Sequence, residues 1–437
     1  MEFREGSGRL VRLMMCALIA CTPLAAQTAP VPFQRVLELA LQHSGTMTIA
    51  QADQTKAHDA YLETRAGFLP QVIFGSGLGY SYGVPLSIEG SAPSVFNINS
   101  QQFLLNFAQR SLLKASKADW NATRISLEDR KNDVILRTAL AYIELDNLAA
   151  RMKSLEEESQ VARKAVYISN ARKTEGLDSD LDLKKTQLAA ARVEMRIADA
   201  QGRADVLRER LSKLTGLPVA AIETMSDSIP KTPEVSQDAD AASVAVHSSS
   251  DVKLADEKIR SAQLRADAEK KQMLPSIDLA GQYAMLTTFN NYDQYYRKFS
   301  RNNYSIGLNI RFPFLDFAQR ARADAARADV VKAKAEAQQV RGKVSEAAVE
   351  LQRSLRQLQA AEEVARLDYE VAKGTVAAVH AKIQSGDATL KDEEQARMDA
   401  SDKQATYLEA AFALAKAKLE FIRQTGDLQA WALPAGR

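Results

Sequence analysis

The chain has 437 residues, 26% of them charged, and a formal net charge of +2 at pH 7. So near a balance gives no reason to expect nucleic acid or another polyanion as partner. Its two cysteines, Cys16 and Cys21, both fall near the N-terminus, which excludes a disulfide framework and a thiolate metal site in the rest of the chain.

The first residues read as an export signal. Arg4, Arg9 and Arg12 precede the short apolar core LMMCALIA, and small residues follow up to PLAAQ. The core is too short to span a bilayer. Two cleavages compete: after Ala26, giving a signal peptide 1–26, or before Cys21 in LIAC, giving 1–20 and a lipidated Cys21. No later run of about 20 apolar residues occurs, so no transmembrane helix is expected in an exported chain.

A helical stretch follows at about 34–66 and stops at Leu69-Pro70, because the proline ring bars its predecessor from the helical region. Next come two strand-like runs. In QVIFGSGLGYSY, Val72, Phe74, Leu78, Tyr80 and Tyr82 alternate with mostly Gly and Ser. In VFNINSQQFL, Phe96 and Ile98 face the apolar side. The segment 108–172 has neither Gly nor Pro and is rich in helix formers. A break at EGLDSDLD leads into a returning helix, about 180–213.

The same order then repeats. FAQR ends at Arg110 and again at Arg320, an offset of 210 residues, and that offset lays Gly176 over Gly386 and Gly216 over Gly426. FLPQV and MLPSI align at 205 instead, so the second half carries five extra residues between these landmarks. The expected organisation is a first repeat at 27–216, a linker at 217–238, a second repeat at 239–426 and a tail at 427–437. Its second repeat predicts helices at 239–272, 318–384 and 390–423. At about 1.5 Å per residue the long helices reach about 95–100 Å, so each half folds back as a rod that must bury apolar seams against neighbouring helices.

The strands point to a membrane. In NYSIGLNIRF, Tyr304, Ile306, Leu308, Ile310 and Phe312 share one face; Ser305, Gly307, Asn309 and Arg311 share the other. SIDLAGQYAM sets Ile277, Leu279, Tyr283 and Met285 against Asp278, Ala280, Gln282 and Ala284. Such segments suit a transmembrane barrel; the same pattern would also suit a soluble sandwich with its apolar face inside. Four strands cannot close a barrel, and open edges in lipid cost several kcal/mol per unpaired group. Copies must share it, giving eight, twelve or sixteen strands. The loops YGVPLSIEGSAPS and TTFNNYDQYYRKFSRNN would face outward, the second with an aromatic girdle of Phe289, Tyr292, Tyr295, Tyr296 and Phe299.

Catalytic chemistry is not apparent. GSGLGYSYG lacks the spacing of a nucleotide loop, and His43, His58, His247 and His380 show no ligand spacing. No cofactor or metal is expected, and no enzyme. The helix–helix breaks are the candidate site: Gly176, Leu177, Asp178, Ser179, Asp180 and Asp182, and Gly386, Asp387, Thr389, Leu390 and Asp392. Ser179/Asp182 and Thr389/Asp392 look like capping pairs. With Glu393, copies around an axis would also gather these carboxylates into an acidic, cation-attracting mouth.

Paired strands, a long helix and a glycine-centred turn, twice over, resemble the TolC family of outer-membrane efflux channels. FPFLDFAQR (312–320) is similar to that family's element before its long helix, with Asn106 in the first half where Asp316 stands in the second. GLDSDLDL and GDATLKD resemble its periplasmic tip turns, where adaptors dock. The resemblance implies a mainly α fold with membrane β: long antiparallel helices forming a periplasmic α-barrel, plus four strands per chain of a trimeric 12-stranded outer-membrane β-barrel. It implies a homotrimer that meets outer-membrane lipid, a periplasmic adaptor and an inner-membrane RND or ABC transporter. The function expected is a passive exit duct for efflux or type I secretion; a periplasmic coiled-coil scaffold or adhesin is the alternative.

Overall fold

The computed structural model describes residues 30–77, 94–233, 240–286, 300 and 302–433. The signal segment 1–26, Cys21, Leu78, Tyr80, Tyr82 and most of both long inter-strand loops lie outside the described residues.

In chain order the elements are α1 (Phe33–His43), α2 (Gly45–Ala66), β1 (Gln71–Gly77), β2 (Ser94–Leu105), α3 (Phe107–Thr174) and α4 (Asp180–Thr215). Two single 3-10 turns, Val219–Ala221 and Ser226–Ser228, lead to α5 (Ala241–Ser248), α6 (Ser250–Lys271), β3 (Ser276–Leu286), β4 (Asn302–Arg311), α7 (Phe317–Ser385), α8 (Leu390–Thr425) and α9 (Leu428–Ala432). The long helices α3 and α7 have 68 and 69 residues, about 100 Å each. No helix among the described residues is long and apolar enough to cross a membrane.

The first helix of each repeat is divided, where one continuous helix was expected. Ser44 is buried and extended (ψ 123°), and its carbonyl accepts the amides of Met47 and Thr48. Ser249 (ψ 127°) accepts the Asp251 amide on Oγ at 3.2 Å. Serine competes for backbone hydrogen bonds well enough to start a second helix without a proline.

Each long helix lies between shorter ones. Helix α3 packs against α2 and α4 and, across the repeats, against α6 and α8; α7 packs against α6 and α8. The sheet is antiparallel throughout, in the order β1-β2-β3-β4. The two hairpins meet at β2 and β3, and β1 and β4 are the free edges.

The largest core lies halfway along α3. Tyr142 and Phe33 are fully buried, with ring centroids 5.4 Å apart and planes at 76°; Trp431 of α9 packs 5.6 Å from Phe33. Each such ring contributes about 1.5–3 kcal/mol by leaving water. The Tyr142 hydroxyl donates to the Val31 carbonyl at 2.8 Å and accepts the Met225 amide at 2.6 Å. Arg423 of α8 reaches Asp129 and Asp133 of α3 at 3.3 and 3.4 Å. The inter-repeat segment and the C-terminal helix are thereby tied around the middle of the rod.

Candidate tip turns and membrane sheet

At the far end from the sheet, α3 stops because Gly176 takes a left-handed conformation (φ 74°), which costs a side-chain-bearing residue energy. The Gly176 amide then reaches the Lys173 carbonyl, and the Leu177 amide reaches Arg172, closing a Schellman turn. Gly386 (φ 84°) does the same at the end of α7, with its own amide on Ile383 and that of Asp387 on Lys382.

The returning helices begin with matching capping boxes. Ser179 Oγ accepts the Asp182 amide at 3.1 Å, while Asp182 Oδ2 accepts the Ser179 hydroxyl at 2.6 Å and its amide at 3.3 Å. In the second turn, Asp392 Oδ2 accepts the Thr389 amide and hydroxyl at 2.9 and 2.7 Å. Aspartate here does the work usually done by glutamate or glutamine, holding the helix's free amide donors. The hydrogen bonds from Ser179 and Thr389 hold both carboxyls below the usual range.

The remaining tip carboxylates have partners. Asp178 accepts from Arg172 at 3.0 Å and from Ser169 at 3.3 Å. Asp180 pairs with Lys173, whose hydrogen bond depresses its pKa. Asp387 accepts the Ser385 hydroxyl at 2.9 Å. Lys391 of the second turn is close enough to act on Asp182 of the first, so the two turns share one end of the molecule. Leu177 and Leu181 are exposed beside them. The side chain of Leu390 lies outside the description. Within one chain the tip is therefore a set of locally paired charges, rather than a bare acidic patch.

Near the tips, Glu393 proves to be paired rather than free, and the Arg196 cluster further up carries no signal in the sequence. Glu393, nearly buried, accepts from Arg397 at 2.8 Å and meets His380 Nδ1 at 3.2 Å; the Arg397 hydrogen bond leads its downward pKa shift. Further up, Arg196 of α4 sits 3.6 Å from Glu158 of α3 and 3.0 Å from Asp402 of α8, joining the repeats. Burial pushes the carboxyls of Glu158 and Glu394 up. Helical spacing alone does not reveal which of several charged stripes turns inward at a three-helix contact.

At the other end, the sheet is two-sided. Tyr304, Ile306, Leu308 and Ile310 are 62–84% exposed. Opposite them on β3 stand Tyr283, Gly281, Leu279 and Ile277 in register. Phe96 and Phe74 continue the apolar face onto the first hairpin, with ring centroids 6.0 Å apart. The opposite face carries Gln71, Asn97, Asn99, Gln101, Asp278, Gln282, Ser305 and Asn309, with Ile73 and Phe103 as apolar exceptions. The apolar face is most exposed along β4 and half-buried along β3, with Ser100 and Gln102 as its polar exceptions; a soluble sandwich would bury this face.

Comparison with known proteins agrees with this geometry. The family model described as outer membrane efflux protein matches residues 36–217 and 241–427. Protein CyaE of Bordetella pertussis is 24% identical over 330 residues, 74% of this chain and 68% of CyaE. The outer membrane protein VceC of Vibrio cholerae superposes with a TM-score of 0.72 at 19% identity, over 90% of this chain and 96% of VceC. The CmeC outer membrane channel of Campylobacter jejuni gives a TM-score of 0.68 at 16% identity, over 91% of this chain and 86% of CmeC. These structures share its fold, and the doubled match follows the order of strands, long helix and tip turn derived above: the chain belongs to the outer membrane efflux protein family.

Proposed function

We propose that three copies of the chain close into an outer-membrane channel that conducts substrate passively out of the cell. Family membership makes it an outer membrane efflux protein; the assembly and its partners are our reading. The observation that carries it is the pair of free edges. Among the described residues, strands β1 and β4 each have a neighbouring strand on one side only, beside an exposed apolar face. In lipid this is tolerable only if β4 of one copy pairs with β1 of the next. The family resemblance puts the number of copies at three and the strands at twelve.

The helices support the same closure. On α4, Leu181, Leu188 and Met195 are exposed at seven-residue spacing; on α7, Val364 and Val371 are exposed at the same spacing. Rows at that spacing form coiled-coil seams between helices. Packed between copies they would complete a periplasmic tunnel below the barrel. The turns at Gly176–Asp182 and Gly386–Asp392 would then ring its mouth, where a periplasmic adaptor docks and hands over cargo from an inner-membrane RND or ABC transporter. Paired tip charges favour a docking surface for complementary polar groups over a bare cation filter.

Detergent extraction from outer membranes, light-scattering mass and bilayer conductance test this together. A trimer with steady ohmic conductance is the expected result. Recovery as a monomer in the soluble periplasmic fraction would overturn it.

A further inference from the structure

Charge is almost absent from the sheet. Strands β1 and β2 carry no charged residue, β3 carries only Asp278 and β4 only Arg311. Both belong to the polar face, at the end nearest the long helices. Arg311 stands opposite Ser276, and Asp278 stands between Asn309 and Phe103. The rest of that face is mostly amides, hydroxyls and small residues, Gln101, Gln282, Ser305 and Gly307 among them. The two charges are not equally available. Asp278 is 1% exposed; one of its oxygens accepts from the Gln101 side chain at 3.5 Å, and the other is enclosed without a donor. Arg311 is exposed and makes no ion pair among the described residues. The wall hides its acid and shows its base.

We propose that the three copies of Arg311 form a cationic ring at the helix-side entrance of the barrel, and that this ring favours anions, including anionic groups on the cargo. The proposal rests on the barrel reading above and gives it a substrate class. With the apolar face turned to lipid, the face of Arg311 lines the lumen. The strand that β4 meets in the closed barrel is β1 of the next copy, which brings no carboxylate to cancel the ring. Asp316, the nearest other acid along the chain, is held as the cap of α7 by the Gln319 amide at 2.8 Å. Dimensions decide whether the ring is felt. Twelve strands spaced about 4.8 Å and tilted by about 40° enclose a backbone radius of about 12 Å. An arginine side chain spans about half of that radius, so the guanidinium lies closer to the axis than the Debye length of about 10 Å at 0.1 M salt. At 1 M that length is about 3 Å, and the centre of the lumen is screened from the charge. Rings of arginine or lysine select anions in other pores on the same grounds.

Wild-type, R311Q, R311K and D278N trimers are placed in planar bilayers across a KCl gradient kept below about 0.1 M, and reversal potentials give the chloride-to-potassium permeability ratio. R311Q should about halve that ratio. R311K should keep it, and so should D278N, whose carboxylate is hidden. Between solutions above about 1 M the effect of R311Q should vanish. An unchanged ratio in R311Q at low salt overturns the ring. A D278N change equal and opposite to that of R311Q also overturns it, since the two side chains would then pair on closure and leave no free charge. An R311Q effect undiminished at high salt overturns it as well, because a change in pore shape rather than a field would be its cause. If the wild-type protein shows no ohmic conductance, the barrel reading fails instead. Should R311Q fail to assemble, R311C is modified in the open channel. A cationic methanethiosulfonate should raise the ratio and an anionic one lower it; equal responses to both overturn the proposal.

Discussion

Gln319 donates through Nε2 to the main-chain carbonyl of Glu269 at 2.8 Å. Gln109 donates in the same way to the carbonyl of Thr64, also at 2.8 Å. Both acceptors lie in the last turn of the helix preceding the strands, where carbonyls lack intrahelical partners. The glutamine of FAQR thus fastens the start of each long helix to the end of the shorter helix beside it. The duplicated string is a fastening at the boundary between sheet and rod.

Replacing Gln319 by leucine should destabilise the protein by about 1–3 kcal/mol, because a buried carbonyl loses its donor. Gln319 is 3% exposed, whereas Gln109 is only half-buried, so Q109L should cost less. Urea midpoints of the two variants check the order. Equal midpoints to wild type would mean that water replaces the side chain.

Tyr142→Phe should cost a similar amount, about 1–3 kcal/mol, by orphaning the Met225 amide and the Val31 carbonyl. Residues 219–231 should become more sensitive to protease, while α3 remains folded. Limited proteolysis followed by mass spectrometry reads this directly.

The tip caps should loosen in acid. Asp182 and Asp392 have folded-state pKa values below the ordinary Asp value, so the native turns bind fewer protons than the unfolded chain. Their stabilisation is complete above the unfolded value of about 3.9 and fades as pH falls through the depressed one. Amide protection at the first turns of α4 and α8 should therefore hold from pH 7 down to about 4 and drop below it. D182N and D392N should lower that protection already at pH 7. The same variants should alter single-channel conductance or cation selectivity if the turns line the mouth; unchanged values would confine these residues to capping.

The contact between α3, α4 and α8 should respond in the opposite direction. Burial raises the folded pKa values of Glu158 and Glu394, so the native state holds protons that the unfolded chain releases. Stability from this contact is greatest below the ordinary Glu value and declines as pH rises through the raised one. E394Q should thus raise the urea midpoint at pH 7 and flatten its pH dependence. A midpoint lower than wild type at neutral pH would show that Glu394 is needed as an anion.

Much of this was legible in the chain itself. Prolines 70 and 275 marked helix ends, strict alternation marked the strands, and paired glycines marked the tip turns, because each obeys a local steric rule. The breaks at Ser44 and Ser249 escaped notice, since serine is compatible with a helix interior until its neighbours decide otherwise. Contacts between distant segments were equally hidden: nothing near Arg196 in sequence announces Asp402, and nothing near Tyr142 announces Met225. The same holds for the tip charges. Asp178 and Asp180 read as free acids until the turn brings Arg172 and Lys173 back onto them.

The strand order has a consequence for how the duct could have arisen and how it assembles. The seam between β2 and β3 inside one chain is the counterpart of the seam proposed between β4 and β1 of adjoining chains. A closed trimer is then a ring of six near-equivalent hairpins in which every second joint is covalently tethered. An ancestral single hairpin could have built the same ring only as a hexamer. Fusing two of them lowers the reaction order of assembly from six to three, so rings can form at far lower subunit concentration. The tether also frees alternate hairpins to diverge, as the junction of residues 312–316 after β4, against Asn106 alone after β2, illustrates.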